Sequence, residues 1–157
     1  MRKRIRIAVA LIVGLIIAAP WLIYWAALWN VEGQLARPRP PYLSKERTQR
    51  LWACLGQKRP VFIQSKSPPA MAIGFLTGNI SAVQTSGDFV AWQVARHHNL
   101  SHLKNNKGIY RHAAGAALTV WLTRNWSADE ILTAADKAIR SYPARYRCLR
   151  RTKMTYE

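Results

Sequence analysis

Acidic residues are scarce in this chain: its 157 residues contain 7 Asp and Glu against 24 Lys and Arg, a formal net charge of +17 at pH 7. A surface so rich in positive charge attracts polyanions. The sequence contains no internal repeat or low-complexity tract, and 50% of its residues are apolar, which excludes a disordered tail. Its length allows one modest folded core once an apolar membrane segment is set aside.

The sequence also lacks the short motifs of several enzyme and metal-site classes. It contains no HExxH, no readable Ser–His–Asp arrangement and no glycine-rich loop that would hold a phosphate. His98 and His102, which cluster with His97, are four residues apart and would share one face of a continuous helix. Zinc sites normally need three or four ligands, however, and no carboxylate is near these histidines. We therefore expect no metal site and no cofactor.

Charged residues are absent from Ile7 to Trp29, a stretch long enough to cross a bilayer core of about 30 Å as a helix. Four cations precede it, and Trp and Tyr residues cluster at its far end, as in an interfacial aromatic belt. The positive-inside rule predicts a single-pass protein of the inner (cytoplasmic) membrane, with a cytoplasmic N-terminus and a periplasmic domain. A cleavable signal peptide is the alternative, which Pro20 disfavours because it directly follows the candidate cleavage site at Ala18 and Ala19.

Cysteine is nearly absent, since Cys54 and Cys148 are the only two, and both fall in the part predicted to lie outside the cytoplasm. An oxidising compartment permits a disulfide between them. Two separate buried thiols are the alternative, because the sequence does not give the distance between these positions.

Composition divides the chain into three parts. Residues 1–30 are the basic stub and transmembrane anchor, residues 31–43 are a Pro-rich linker, and residues 44–157 are the folded domain. Pro38, Pro40 and Pro41 predict an extended, semi-rigid linker that holds the domain a short way off the bilayer.

Apolar residues at helical spacing dominate the domain and predict a mainly α fold. A corner between two helices is expected at residues 125–127, where Ser127 and Glu130 have the spacing of a capping box. The residues from His112 to Ala117 are small, which lets another helix pack closely. Helices are predicted near residues 44–55, 86–98, 109–124 and 128–140.

Two shorter segments are less clear. Residues 60–64 (PVFIQ) are predicted as a short strand because of their β-branched side chains. Residues 67–78 are ambiguous, although Pro68 and Pro69 could start a helix that continues through residues 70–76.

Two motifs resemble the family 51 glycosyltransferases, the peptidoglycan transglycosylases that polymerise lipid II, alone or joined to penicillin-binding transpeptidases. The sequence WLTRNWSADEIL resembles the family's WLERxxSKEEIL, and the upstream SGDFVAWQVARHHNL resembles GGSTITQQLAKNLFL. The resemblance covers residues 86–139, about a third of the chain. It implies that the domain is a small, lysozyme-like helical domain of a shortened family relative.

The chain departs from this family at both catalytic glutamates. The first belongs to an EDxxFxxHxG motif upstream of GGST, but residues 58–85 contain no Asp or Glu. The second catalytic glutamate aligns with Ala116, or with Gly115 or Ala117 after a shift of one residue, and none of these three residues has a carboxylate. Asp88 is the only acid near the implied groove, at the place of the Ser or Thr of GGST. It could serve as the base only if the protein is active, and a helix N-terminal charge is the alternative role.

The resemblance also implies a binding site for the pyrophosphate of lipid II, formed by Gln93, Arg96 and Arg111. We therefore expect a membrane-anchored cell-envelope protein that binds lipid II, peptidoglycan or a cell-wall synthase without catalysis. The alternatives are an active peptidoglycan glycosyltransferase and an unrelated basic scaffold that binds anionic lipid head groups. Nucleic acid is not an expected partner, because the predicted topology puts the domain outside the cytoplasm.

Overall fold

The computed structural model describes residues 2–57, 61–76 and 86–141, which form helices and contain no strand. The fold is mainly α, as predicted from the spacing of the apolar residues. In chain order the helices are α1 (Arg2–Trp29), α2 (Lys45–Cys54), α3 (Pro68–Leu76), α4 (Ser86–Asn99), α5 (Gly108–Asn125) and α6 (Ala128–Arg140).

Helix α1 is long and apolar enough to cross a membrane. Its segment Lys3–Trp29 has 27 residues and a mean hydropathy of 2.5 in its most apolar window. The side chains of residues 3–18 are all exposed. Such a surface is unfavourable in water, because burial of apolar area is the main force that drives folding.

Helix α4 is the centre of the domain, and almost all of its side chains are at least partly buried. It packs against both α5 and α6, and α2 adds Leu51 and Trp52 to the same core. The small residues Ala91 and Ala95 on α4 are fully buried, so the neighbouring helices can approach it closely. The largest fully buried apolar side chains of this core are Leu51, Leu122, Ile131, Leu132, Ile139 and Val90.

The predicted corner between the last two helices is confirmed. Helix α5 ends at Asn125, and Ser127 is the N-cap of α6. The backbone N–H of Glu130 donates to Ser127 Oγ (3.3 Å), and the backbone N–H of Ser127 donates to Glu130 Oε2 (2.7 Å). This reciprocal capping box satisfies two backbone donors that the start of a helix would otherwise leave without partners.

The last turns of α1 pack directly against the domain. Tyr24 and Ala27 of α1 form a buried cluster with Ala117 and Val120 of α5, and Met71 of α3 packs against this cluster. The small residues at the start of α5 thus let two helices approach it, α4 on one side and α1 on another, as their size predicted.

Helices α1 and α5 run in opposite directions. Arg124, near the end of α5, lies over the ring of Trp21 at 6.0 Å. The loop before α5 instead meets the end of α1, where the side-chain N–H of Asn30 donates to the carbonyl of Asn105 (2.9 Å). The end of α5 is therefore on the side of the domain that faces the exposed part of α1.

The Pro-rich segment lies along the domain, whereas the sequence predicted a spacer. Val31 forms an isolated antiparallel bridge with Leu103, and Leu35 and Leu43 pack against the main core. Farther along, Arg37 forms a salt bridge with Glu130 of α6 (2.7 Å). Apolar and ionic contacts outweigh the stiffness of the prolines here, so the segment fastens α1 to the domain.

The structure decides the conformation of the two short segments whose sequence signals were less clear. Helix α3 forms, which resolves the ambiguity at residues 67–78 in favour of a helix that begins at Pro68. The predicted strand at residues 60–64 is wrong, since the described residues 61–64 are irregular. An isolated extended segment needs a neighbouring strand for its hydrogen bonds, and none is present in the described parts of the chain.

Helix α2 follows the prediction closely. Ser44 is its N-cap and accepts a hydrogen bond from the backbone N–H of Arg47 (3.3 Å), and Gly56 ends it with a positive φ of 74°. Cys54 in its last turn is disulfide-bonded. Cys148, the other cysteine of the sequence, lies outside the described residues.

Candidate functional site

Two of the three predicted binding residues, Arg96 on α4 and Arg111 on α5, lie at the same height along these two neighbouring helices. Trp92 of α4 packs against Gly115 of α5 so closely that a Cβ on this glycine would lie 2.8 Å from the Trp92 ring. Arg96 is one turn after Trp92, and Arg111 is one turn before Gly115. Since α4 and α5 are antiparallel neighbours joined by a short loop, both arginines lie one turn from this contact, toward that loop. Both are exposed, and we call them the arginine pair.

Gln93, the third predicted residue, is half-buried on α4. It precedes Arg96 by three residues, so the two side chains share a face of the helix. Among the described residues, no hydrogen bond or salt bridge joins Gln93 or either arginine to another side chain. Two exposed guanidinium groups without acidic partners, next to a side-chain amide, are suited to bind an oxyanion such as phosphate.

Asp88 is not placed to act as a base. It lies in the first turn of α4, its side chain is 1% exposed, and its Oδ2 is 3.1 Å from Lys66 Nζ. A general base must reach the proton that it removes, which a buried side chain does not. A buried, ion-paired carboxylate beside a helix N-terminus instead stabilises the fold through its negative charge.

Lys66, the partner of Asp88, was not predicted from the sequence. Residues 61–67 cross the start of α4 so closely that a Cβ on Gly87 would lie 2.6 Å from the carbonyl oxygen of Phe62. The backbone N–H of Lys66 donates to Thr123 Oγ1 (3.3 Å), and Arg124 donates to its carbonyl (3.4 Å). Lys66 therefore joins α4, α5 and this crossing segment, which only the folded chain brings together.

The two other buried acids are also used in salt bridges. Glu130 is held by Arg37, and the hydrogen bonds from this guanidinium and from the Ser127 backbone lower the pKa of Glu130 to about 2. Asp136 binds both Arg47 (3.0 Å) and Arg140 (2.9 Å). Every buried carboxylate in the described parts of the chain thus neutralises a cation and holds two segments together.

The residues that the resemblance aligns with the family's second glutamate are small and tightly packed. Gly115 lies under the Trp92 ring, and Ala116 and Ala117 are buried. A glutamate at any of these positions would place a long charged side chain inside a helix interface, which costs several kcal/mol without a partner. The packing explains why this part of α5 carries no carboxylate.

The histidine cluster has a structural role. His98 and His102 stack with ring centroids 4.4 Å apart. The Nε2–H of His98 donates to the carbonyl of Glu32 (3.1 Å), and the Glu32 backbone N–H donates to the carbonyl of His102 (2.8 Å). Burial is the main cause that lowers the pKa of His98, and the nearby His102 lowers it further. No group of three or more potential metal ligands exists among the described residues, and these histidines instead fix the segment after α1.

Cations also contact the aromatic belt of α1, which the sequence did not reveal. Lys104 Nζ lies 3.9 Å from the centroid of the Trp29 ring, and Arg124 lies over Trp21. Trp21, Trp25 and Trp29 are each four residues apart and exposed, so they share one broad face of α1. Tryptophans with cations over their rings thus combine aromatic and basic groups on one surface beside α1.

The chain matches no protein-family model, and no curated protein or solved structure is significantly similar to it.

Proposed function

We propose that this protein is a membrane-anchored, non-catalytic component of the cell envelope that binds phosphate-bearing lipid at the periplasmic surface of the inner membrane. Lipid II is the ligand that the resemblance to family 51 implies. A peptidoglycan strand or a cell-wall synthase would be a further partner of the same surface.

The packing of a strongly basic domain onto the last turns of an apolar helix carries this proposal. A tether of flexible residues would let the domain move away from the bilayer, but α1 is joined to it by the buried cluster around Tyr24 and Val120. Lys104 and Arg124 lie beside tryptophans that prefer the head-group region. Each cation near an anionic leaflet adds about 1 kcal/mol of attraction.

The arginine pair supports a phosphate ligand more specifically. Arg96 and Arg111 come from two helices whose relative position is fixed by the contact of Trp92 with Gly115. Their fork-shaped guanidinium groups can each donate two hydrogen bonds to one phosphate group, so together they match a pyrophosphate better than a single charge does.

The use of the buried acids supports a function without catalysis. Asp88, Glu130 and Asp136 all hold cations of the fold, and the glutamate position on α5 is closed by helix packing. Glycosyl transfer needs a base for the attacking hydroxyl, and these residues do not offer one.

The proposed topology has two supports. Arg2, Lys3, Arg4 and Arg6 precede the apolar segment, and Cys54 is disulfide-bonded, which fits an oxidising compartment. Alkaline phosphatase fused to the C-terminus, which is active only outside the cytoplasm, should be active. A stable but inactive fusion would contradict this orientation.

The binding test uses purified full-length protein in detergent with labelled lipid II, and phosphatidylglycerol and phosphatidylcholine as competitors. The double variant Arg96→Ala, Arg111→Ala should bind lipid II about 30-fold more weakly, since two cations contribute about 2 kcal/mol together. Lys45→Ala, Arg50→Ala is the matched control, because it removes the same charge from exposed positions of α2. Phosphatidylglycerol should compete more weakly than unlabelled lipid II, and phosphatidylcholine should not compete.

Four outcomes would count against the proposal. Undiminished binding in the Arg96, Arg111 variant, or equal losses in both double variants, would leave an undifferentiated basic surface and favour the unrelated scaffold. Equal competition by phosphatidylglycerol and lipid II would favour a general anionic-lipid binder. Glycan polymer on a gel that disappears in Asp88→Asn would show an active glycosyltransferase with Asp88 as its base.

A further inference from the structure

The part of α1 that is clear of the domain is too short to cross a bilayer by itself. Residues 5–18 are exposed on all sides, and Ala19 is the first half-buried residue. At 1.5 Å per residue, the uncharged residues 7–18 span about 18 Å, whereas the hydrocarbon core is about 30 Å thick. The remaining length of about 12 Å takes about eight more residues and ends near Ala26. These residues already pack against the domain, so part of the domain has to lie at the same depth.

Helix α3 has the composition for that position. Its sequence, PPAMAIGFL, contains no charged or polar side chain. Met71 packs against the cluster formed by Tyr24, Ala27 and two residues of α5, which puts α3 beside the last turns of α1. The side chain of Ile73, two residues farther on, is 58% exposed. Pro68 and Pro69 have no N–H, and the N–H groups of Ala70 and Met71 donate to Ser67, so the start of α3 can enter an apolar layer without bare donors.

We propose that α3 is a second membrane-contacting element, which lies beside α1 in the outer apolar layer of the bilayer and exposes Ile73 to lipid. This inference rests on the proposed membrane anchoring. Lipid is the occupant that the structure favours, because α3 extends the apolar surface that α1 already presents to the bilayer. The domain is then partly immersed, and the bilayer covers an apolar surface that water would otherwise contact.

Arg124 is compatible with this depth. It lies over Trp21, about 4.5 Å below Tyr24 along the axis of α1. A long arginine side chain can keep its aliphatic part in apolar surroundings while its guanidinium reaches the head groups. Lys66 and Asp88 are nearby but neutralise each other inside the protein, so neither brings an uncompensated charge into the apolar layer.

The test measures depth in lipid vesicles with nitroxide labels on single introduced cysteines of the full-length protein. Ile73→Cys is the test position, and Ile16→Cys, 67% exposed in the middle of α1, is the reference for lipid. Ile109→Cys is the matched control, because Ile109 is 77% exposed but lies at the opposite end of α5 from Arg124. Native Cys54 is disulfide-bonded and does not react under non-reducing conditions.

The ratio of oxygen to nickel-complex collision rates should be high at positions 16 and 73 and low at 109. A high ratio at 16 with a low ratio at 73 would overturn the immersion of α3 while the anchor stands. A low ratio at 16 would overturn the membrane anchoring itself. A label at 73 that neither oxygen nor the nickel complex reaches would show that protein, such as a second copy of the chain, covers α3 instead of lipid.

Discussion

The buried ion pair between Lys66 and Asp88 offers the sharpest test of how this fold is held together. In Asp88→Asn the ammonium of Lys66 loses its negative partner while the shape of the side chain at position 88 is nearly kept. Removal of one partner of a buried pair costs about 3–5 kcal/mol, because the other charge stays buried without compensation. Lys66 is 12% exposed and can be partly hydrated, so we expect the lower end, about 3 kcal/mol.

A double-mutant cycle isolates the pair from other effects of each substitution. Lys66→Met leaves the carboxylate of Asp88 buried without its cation, and it should cost at least as much as Asp88→Asn because Asp88 is only 1% exposed. The double variant should be much less destabilised than the sum of the two, since no lone charge remains. The assay is urea unfolding of the full-length protein in detergent, followed by tryptophan fluorescence, because Trp52 and Trp126 are in the core.

Two results would refute this reasoning. If each single variant loses less than about 1 kcal/mol, the pair does not stabilise the fold by the mechanism of a buried charge. If the losses are additive, Lys66 and Asp88 act independently. Either result would remove the structural role argued for Asp88 and reopen its use as a functional acid.

Three further predictions concern the same unfolding assay. Ser127→Ala removes the capping box of α6 and should cost roughly 0.5–2 kcal/mol, whereas Ser141→Ala, at the other end of this helix, should change stability little; equal effects would contradict the role of the cap. Gly87→Ala should cost about 1–3 kcal/mol, because its Cβ would overlap the backbone of residues 61–67, and Gly14→Ala in open space is its control. The protein should also become less stable as the pH falls below about 6.5. The folded state favours the neutral ring of His98 and lowers its pKa, so in this pH range the unfolded chain binds more protons than the folded one. This loss continues until pH passes the lowered pKa of His98, and His98→Asn should make the decrease shallower; an unchanged pH profile in that variant would exclude His98 as its source.

Local signals in the sequence predicted the helices well. Ser44 and Ser127 are N-caps because their hydroxyls bind backbone amides only three residues away, and Gly56 ends α2 because it can adopt a positive φ. Such contacts depend on near neighbours in the chain, so a pattern of a few residues is enough to identify them. The apolar segment of α1 is recognisable for the same reason, since its length and composition are read directly from the sequence.

The candidate site was predicted only in part. Arg96 and Arg111 were named from a resemblance, and their common level on α4 and α5 follows from the contact of Trp92 with Gly115. Lys66 was missed because it is 22 positions from Asp88 in the sequence, and nothing in its immediate neighbours identifies an acid as its partner. The strand predicted at residues 60–64 failed because β-branched side chains favour a strand only where another strand is available for pairing.

The sequence by itself determined that the protein is basic, mainly helical and led by a helix that could cross a membrane, because charge, helical periodicity and length are properties of the chain alone. Only the tertiary structure decided that the Pro-rich segment lies along the domain and that α1 is built into it. Those features depend on contacts such as Arg37 with Glu130 and Tyr24 with Val120, whose partners are about a hundred positions apart. These contacts form and stabilise the protein only after the helices have packed, so no local pattern of residues could predict them.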